Sequence, residues 1–344
     1  MAFKILSCDG GGIRGLITAL LIQDLDQKFQ IIAGADGFTG TSTGGLLALG
    51  LANGVPIAQI VDVYLKEGAT VFTPNGWLLT QDEKQQVKEP EASSIEELGS
   101  GPGFFSCQYV NSGLKKIART LVGDAPIASV KPFVAVNSAR LWDEAGRRWV
   151  PCTISNGPSN IYRNISMTDA ALATSAAPTY FPPHRVAGTG YDFGYFADGG
   201  VFANNPSMTA VTEVLYQKFV SSLADIRVLS LGTGDSPQGI PPAAVSDPLK
   251  WGVTHWLYPW SSGPGGVVPA MALLNLTMDA TAELADIQAG EMLGANYRRG
   301  NVPLPKPYAL DDWKNVDELV KATKAHMATP AWQGVCNWVK QNWQ

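Results

Sequence analysis

Charged side chains are scarce in this chain. Asp, Glu, Lys and Arg make up 16% of its 344 residues, against about 25% in an ordinary soluble protein. Hydrophobic residues nevertheless hold at 45%, and a disordered chain needs the reverse balance. Lys and Arg number 25 against 30 Asp and Glu, for a net charge of −5. That argues against a nucleic-acid partner, whose affinity would rest on clustered Lys and Arg. No run approaches the roughly 18 apolar residues of a spanning helix. The N-terminus lacks a basic segment followed by an apolar core and a small-residue cleavage site, so the expected location is cytoplasmic. Cysteine is sparse too. Cys8, Cys107, Cys152 and Cys336 lie far apart with no C-x-x-C pair, which fits reduced structural thiols and implies no metal. Histidine is the scarcest catalytic type, with only His184, His255 and His326.

Glycine, by contrast, is plentiful at 36 residues, and it falls in clusters. A short strand candidate, Phe3 to Ser7, ends at Gly10–Gly12. Ile13, Leu16, Ile17, Leu20, Leu21, Leu25 and Phe29 then recur at helical spacing. Strand, glycine turn and helix in that order open an α/β fold. A second glycine turn, Gly40 to Gly45, leads into the apolar run Leu46 to Leu51, although the segment before it, Ala35 to Thr39, is a weak strand. Further strands are predicted at Phe133–Val136, Trp149–Ile154, Tyr195–Ala197 and Ile226–Leu231, and helices at Leu114–Leu121, Met208–Phe219 and Asp317–Met327. Residues 72–105 read as an irregular insertion, and residues 236–269 as a Trp-rich excursion. One large α/β domain is expected, with a core over 3–210. Residues 211–344 form its C-terminal part, with a strand near 226–232 and terminal helices.

Three motifs can carry chemistry. Asp9-Gly10-Gly11-Gly12-Ile13-Arg14-Gly15 satisfies the dinucleotide pattern G-x-G-x-x-G, with Asp24 or Asp26 as nominal ribose ligands. The same glycines can instead converge backbone N–H groups at a helix N-terminus, where an oxyanion is held as readily as a phosphate. Gly40-Thr41-Ser42-Thr43-Gly44 is a G-x-S-x-G, whose flanking glycines permit the sharp turn that exposes a serine oxygen; the plain alternative is a helix cap. Asp198-Gly199-Gly200 follows a strand, where an Asp is usually a turn residue.

A Ser–His–Asp triad needs a histidine to take the serine proton. His326 lies in a charged helix pattern and reads as solvated, His255 lies in the Trp-rich excursion, and His184 follows two prolines. Chain order would favour His255 or His326, but neither has supporting context. A carboxylate acting directly on serine removes the difficulty. An ordinary Asp, with a pKa of about 3.9, is a weak base for an alcohol. Such a dyad therefore needs an oxyanion site and a cleft dry enough to raise the carboxylate's basicity.

Taken in order, the three motifs resemble those of the patatin-like phospholipase family. Ala173-Thr174-Ser175-Ala176-Ala177-Pro178-Thr179-Tyr180-Phe181-Pro182-Pro183-His184 is similar to the block before the family's D-G-[AG] motif, and Leu229–Gly234 to a later strand and turn. The resemblance implies a three-layer α/β/α fold with a mostly parallel sheet and a serine elbow. It implies Ser42 as nucleophile and Asp198 as its partner. It also implies oxyanion N–H groups from Gly10, Gly11 and Gly12, with Arg14 fixing that loop or assisting there. Asp9, Gly15, Gly40, Gly44, Gly199 and Gly200 would shape the motifs. The implied activity is hydrolysis of a phospholipid or related glycerolipid ester through acyl-Ser42, without metal or nucleotide cofactor. Nucleotide binding, a triad esterase and a silent storage protein are the alternatives. Trp251, Trp256, Tyr258 and Trp260 suggest either transient contact with a membrane surface or packing of the excursion onto the domain.

Overall fold

The computed structural model describes residues 2–75, 106–245, 247–257, 260–261, 267–268 and 271–343. Most of the insertion expected at 72–105, and Tyr258 with the side chain of Trp260, lie outside the described residues.

The sheet is built outward from β1 (Phe3–Cys8), which pairs in parallel with β2 (Gly37–Thr41) on one side and β7 (Ile226–Leu231) on the other. Alternation along β1 assigns the two faces. Leu6 and Cys8 join the larger apolar cluster with α1 (Gly15–Phe29) and α2 (Thr43–Ala52). Ile5 points the other way, into a smaller cluster with Ala210, Val211 and Val214. Helices therefore cover both faces, and parallel strands buried on both faces read as apolar runs. α3 (Ile57–Lys66), α4 (Ser112–Val122) and α5 (Met167–Ser175) add to the α2 side. α6 (Ser207–Tyr216) and the end of α7 (Ala272–Leu293) cover the opposite one. Near the C-terminus, α8 (Val316–Met327) and α9 (Pro330–Asn342) place Leu319, Trp332 and Val339 in the larger cluster. The architecture is a mixed α/β fold with a mostly parallel central sheet between helical layers.

β2 starts two residues later than the sequence suggested, and its weak apolarity has a steric reason. A Cβ on Gly37 would sit 2.9 Å from the Phe133 ring, and one on Gly40 would sit 2.0 Å from the Gly44 carbonyl oxygen. β3 (Phe133–Asp143) is more than twice the expected length. It runs parallel to β2 as far as Thr41 opposite Asn137. β4 (Arg148–Ser155) occupies the other edge of β3 in antiparallel register.

β5 (His184–Gly188) and β6 (Tyr191–Asp198) complete this end, β6 pairing antiparallel with β3 so that Asp198 lies opposite Ser138. With one edge of β3 taken by β4, β2 and β6 share the other. They run toward each other and end on consecutive β3 residues. This end-to-end meeting places the residue after β2, Ser42, beside the last residue of β6, Asp198. At the far side of the sheet β8 (Tyr297–Gly300) pairs with β7. β5, β8 and α3 were not foreseen. Among the described residues, no helix is long and apolar enough to cross a membrane.

Candidate active site

Ser42 sits in the turn between β2 and α2 with φ 56° and ψ −125°. A non-glycine residue in such a region stores about 1–3 kcal/mol of strain. The flanking glycines make the turn sterically feasible. A Cβ on Gly44 would lie 2.1 Å from the Cys8 carbonyl oxygen, just as one on Gly40 would strike Gly44. Thr174, at the end of α5, holds the strained residue. Its Oγ1 accepts the Ser42 N–H at 2.9 Å and donates to the Asn137 carbonyl at 2.5 Å. The sequence pointed to the block containing Thr174 but not to this hydrogen bond.

Asp198 is 2% exposed. Its Oδ1 accepts the Gly200 N–H at 2.7 Å, which the tight Gly199-Gly200 turn delivers. A Cβ on Gly199 would meet the Asn137 carbonyl oxygen at 2.4 Å. Burial raises the carboxyl from its ordinary 3.8 to about 7, against the opposing pull of the Ser42 hydroxyl and the Gly200 amide. Oδ2 is buried and makes no regular hydrogen bond among the described residues.

The glycine loop approaches from β1. Thr233 Oγ1 donates to the Gly10 carbonyl at 2.8 Å, and Arg14 Nε reaches the Gly11 carbonyl at 3.4 Å. In a trans peptide the N–H points opposite to the carbonyl, so the Gly11 and Gly12 amides face away from these donors. Neither has a backbone acceptor among the described residues. The Gly10 amide is already committed, donating to the Asn204 carbonyl at 2.9 Å. This departs from the expectation of three free glycine amides. Gly12 adopts φ 58°, and a Cβ there would lie 2.1 Å from the Leu310 carbonyl oxygen. A Cβ on Gly15 would sit 2.4 Å from Thr43 Oγ1, so its absence lets α1 approach α2.

Asp9 forms a buried two-pronged pair with Arg299 from β8, which also donates to Ser230 Oγ at 2.8 Å. Arg299 lies 290 residues from Asp9 on an unforeseen strand, and no local pattern announces it. Arg14 is buried as well, and burial lowers its pKa against the nearby Asp279.

An apolar cavity of about 660 Å³, its open mouth included, begins at Ser42. Gly12 and Thr43 border it beside the serine, and Leu46, Val63, Ile117 and Phe181 line it further along. No histidine lines it. His184 bonds Asp169 at 2.9 Å, and His255 packs on Trp251 with centroids 5.6 Å apart. His326, expected to be solvated, is only 9% exposed and packs near Trp332. The nominal ribose ligands are also engaged. Asp24 accepts from Lys28 and the Trp332 indole, and Asp26 from the Ile32 amide.

The model of the patatin-like phospholipase family matches residues 6–211. The chain belongs to that family. A cGAMP-activated phospholipase of Vibrio cholerae is 30% identical over 322 residues, covering 90% of this chain and 84% of the relative. Patatin-like protein 2 of Oryza sativa is 26% identical, covering 92% and 82% respectively. A potato relative, 29% identical over 74% of this chain and 68% of its own length, is named a probable inactive patatin. Patatin-like phospholipase membership supports lipid acyl hydrolysis in general terms. The potato relative's name shows that membership alone does not guarantee turnover.

Proposed function

We propose that the protein hydrolyses acyl esters of phospholipids or related glycerolipids through an acyl-Ser42 intermediate, with Asp198 as general base. The observation that carries this reading is the buried Asp198 carboxyl beside Ser42 where β2 and β6 meet, with burial raising it to about 7. A base with a pKa near the working pH combines availability with proton affinity. Asp198 takes the Ser42 proton as Oγ attacks the ester carbonyl. The developing oxyanion is met by the Gly11 and Gly12 amides, and by the Thr43 amide at the start of α2, where helix N–H groups are unpaired and the dipole favours negative charge. Asp198 then gives its proton to the departing alcohol oxygen. Water repeats the sequence on the acyl-serine and frees the fatty acid. Arg14 acts through the loop, fixing the Gly11–Gly12 peptide. The apolar cavity takes the acyl chain.

The same reading treats 3–210 and 211–344 as one catalytic unit, supported by β7 pairing along the full length of β1 and by Arg299 holding Asp9. It operates in the cytoplasm. Contact with an anionic lipid surface is assigned to the β3–β4 hairpin, which continues past the catalytic end of β2. Trp142 is 45% and Trp149 80% exposed there, beside exposed Arg147 and Arg148. Tryptophan suits the lipid–water boundary, and arginine suits anionic headgroups. Of the aromatics first considered, Trp251 packs against Trp256 at 5.1 Å.

The test measures fatty-acid release from short-chain esters and phospholipid vesicles, with and without cGAMP because the Vibrio relative is named for its activation. Ser42→Ala and Asp198→Asn should abolish turnover, and His184→Ala, His255→Ala and His326→Ala should keep most of it. Loss of activity in a folded histidine variant would favour a triad. Substantial turnover by Ser42→Ala would sink the acyl-serine mechanism.

A further inference from the structure

We propose that Asn204 is a further catalytic residue, which with Asp198 binds and orients the water that hydrolyses the acyl enzyme. The inference rests on the Ser42–Asp198 reading and adds the site of its second nucleophile.

Asn204 follows the single helical turn Gly200–Ala203 and is 5% exposed. Its backbone carbonyl anchors the Gly10 amide, and its side-chain nitrogen reaches the Gly10 carbonyl only at a long 3.5 Å. The opposite end of the amide is the informative one. Oδ1 of Asn204 is buried without a hydrogen-bond partner among the described residues, and so is Oδ2 of Asp198. A buried acceptor left unpaired is costly.

The glycines place the Asn204 amide oxygen near the Asp198 carboxylate, whose other oxygen, Oδ1, already holds the Gly200 amide. A Cβ on Gly200 would lie 3.1 Å from Asp198 Oδ1 and 3.2 Å from Asn204 Oδ1. One on Gly10 would lie 2.2 Å from Asn204 Oδ1 and 3.3 Å from Ser42 Cβ. The Asn204 amide oxygen thus has both the Asp198 carboxylate and Ser42 as near neighbours. If Asn204 served only to clamp the loop, its amide oxygen would have no task. Its backbone and Thr233 already hold Gly10.

Two unpaired acceptors in one neighbourhood select a donor with two hydrogens, and water is the smallest. Once Ser42 is acylated, its hydroxyl no longer engages Asp198, and the carboxylate is open to a new donor. The water oxygen attacks the acyl carbonyl carbon. One of its protons passes to Asp198, and the other stays on the oxygen, donated to Asn204 Oδ1. Collapse of the tetrahedral adduct breaks the bond to Ser42 Oγ, which recovers its proton from Asp198, and the carboxylic acid leaves. An alcohol, with a single hydroxyl hydrogen, can satisfy only one acceptor, so the pair also favours hydrolysis over acyl transfer to alcohols.

The experiment follows partition of the acyl enzyme. Wild type, Asn204→Ala, the near-isosteric Asn204→Leu and Asn204→Asp are given p-nitrophenyl butyrate with methanol present. Butyrate and methyl butyrate are then quantified. This ratio is set after acylation, so it does not depend on which step limits turnover. Asn204→Ala and Asn204→Leu should shift it toward methyl butyrate by about tenfold, and Asn204→Asp, which keeps an oxygen acceptor, should stay nearer wild type. An unchanged ratio in whichever apolar variant folds, whatever its overall rate, would overturn the role of Asn204. A butyryl adduct found on Ser42→Ala by mass spectrometry would instead overturn the acyl-Ser42 reading beneath it.

Discussion

Asp198 gives a prediction in which catalysis and stability pull in opposite directions. Its carboxyl is raised from 3.8 to about 7 because burial disfavours the charged form. The folded state therefore holds its proton more tightly than the unfolded chain. Between these two values the native protein binds more protons than the unfolded one, so stability falls as pH rises. The penalty is absent below the unfolded pKa and complete above about 7. The difference between these two values, at 1.36 kcal/mol for each tenfold step in proton affinity, amounts to ~4 kcal/mol as an upper figure. Asp198→Asn keeps the shape and an acceptor for the Gly200 amide but cannot ionise. Urea unfolding at a series of pH values should show the variant close to wild type near pH 4. Its advantage should grow to about 2–4 kcal/mol by pH 8, the range allowing for relaxation of the site. Turnover runs the other way. Wild-type kcat/KM should rise about tenfold per pH unit below 7 and level off above it, as a general base requires, and the variant should be inactive throughout. A pH-independent stability difference, or a variant less stable than wild type at pH 8, would refute the reasoning.

Other consequences follow from single contacts. Arg299→Met strands the Asp9 carboxylate in the interior and should cost about 3–5 kcal/mol in urea unfolding, with Asp9→Leu added to the same chain recovering part of the loss. Thr174→Val removes the acceptor of the Ser42 amide; kcat should fall about tenfold or more, the equivalent of one hydrogen bond of roughly 1.5 kcal/mol, while KM changes little. The double change Trp142→Ser and Trp149→Ser should lower binding to phosphatidylserine-containing vesicles without altering hydrolysis of a soluble short-chain ester. Unchanged vesicle binding would remove the hairpin from the account.

The legible parts of the fold are those with a local cause. The strand at Ile226–Leu231 and the helix at Gly15–Phe29 carry their periodicity in adjacent residues, and each glycine motif announces a turn by composition alone. β2 was faint because its neighbours press where side chains would stand, and steric need of that kind leaves glycines rather than apolar residues. Arg299 and Asn204 were invisible for a different reason. Their tasks are defined by partners far along the chain, Asp9 and Gly10, and neither sits in a pattern of its own. His326 misled because charged neighbours on a helix describe the exposed faces and not the one that packs on Trp332.

The same distinction explains why a serine and an aspartate 156 residues apart can be read together at all. In a purely parallel sheet, strand ends carrying catalytic groups lie side by side, separated by the strand spacing of about 4.8 Å and its multiples. Here β3 outlasts β2, and β6 enters antiparallel on the edge β2 has vacated. Opposed strands that stop on consecutive residues, Asn137 and Ser138, bring their terminal groups face to face. In the proposed mechanism, two side chains so placed would pass a proton with no imidazole between them. In the proposed dyad the carboxylate would act directly, burial having raised its proton affinity toward that of an imidazole.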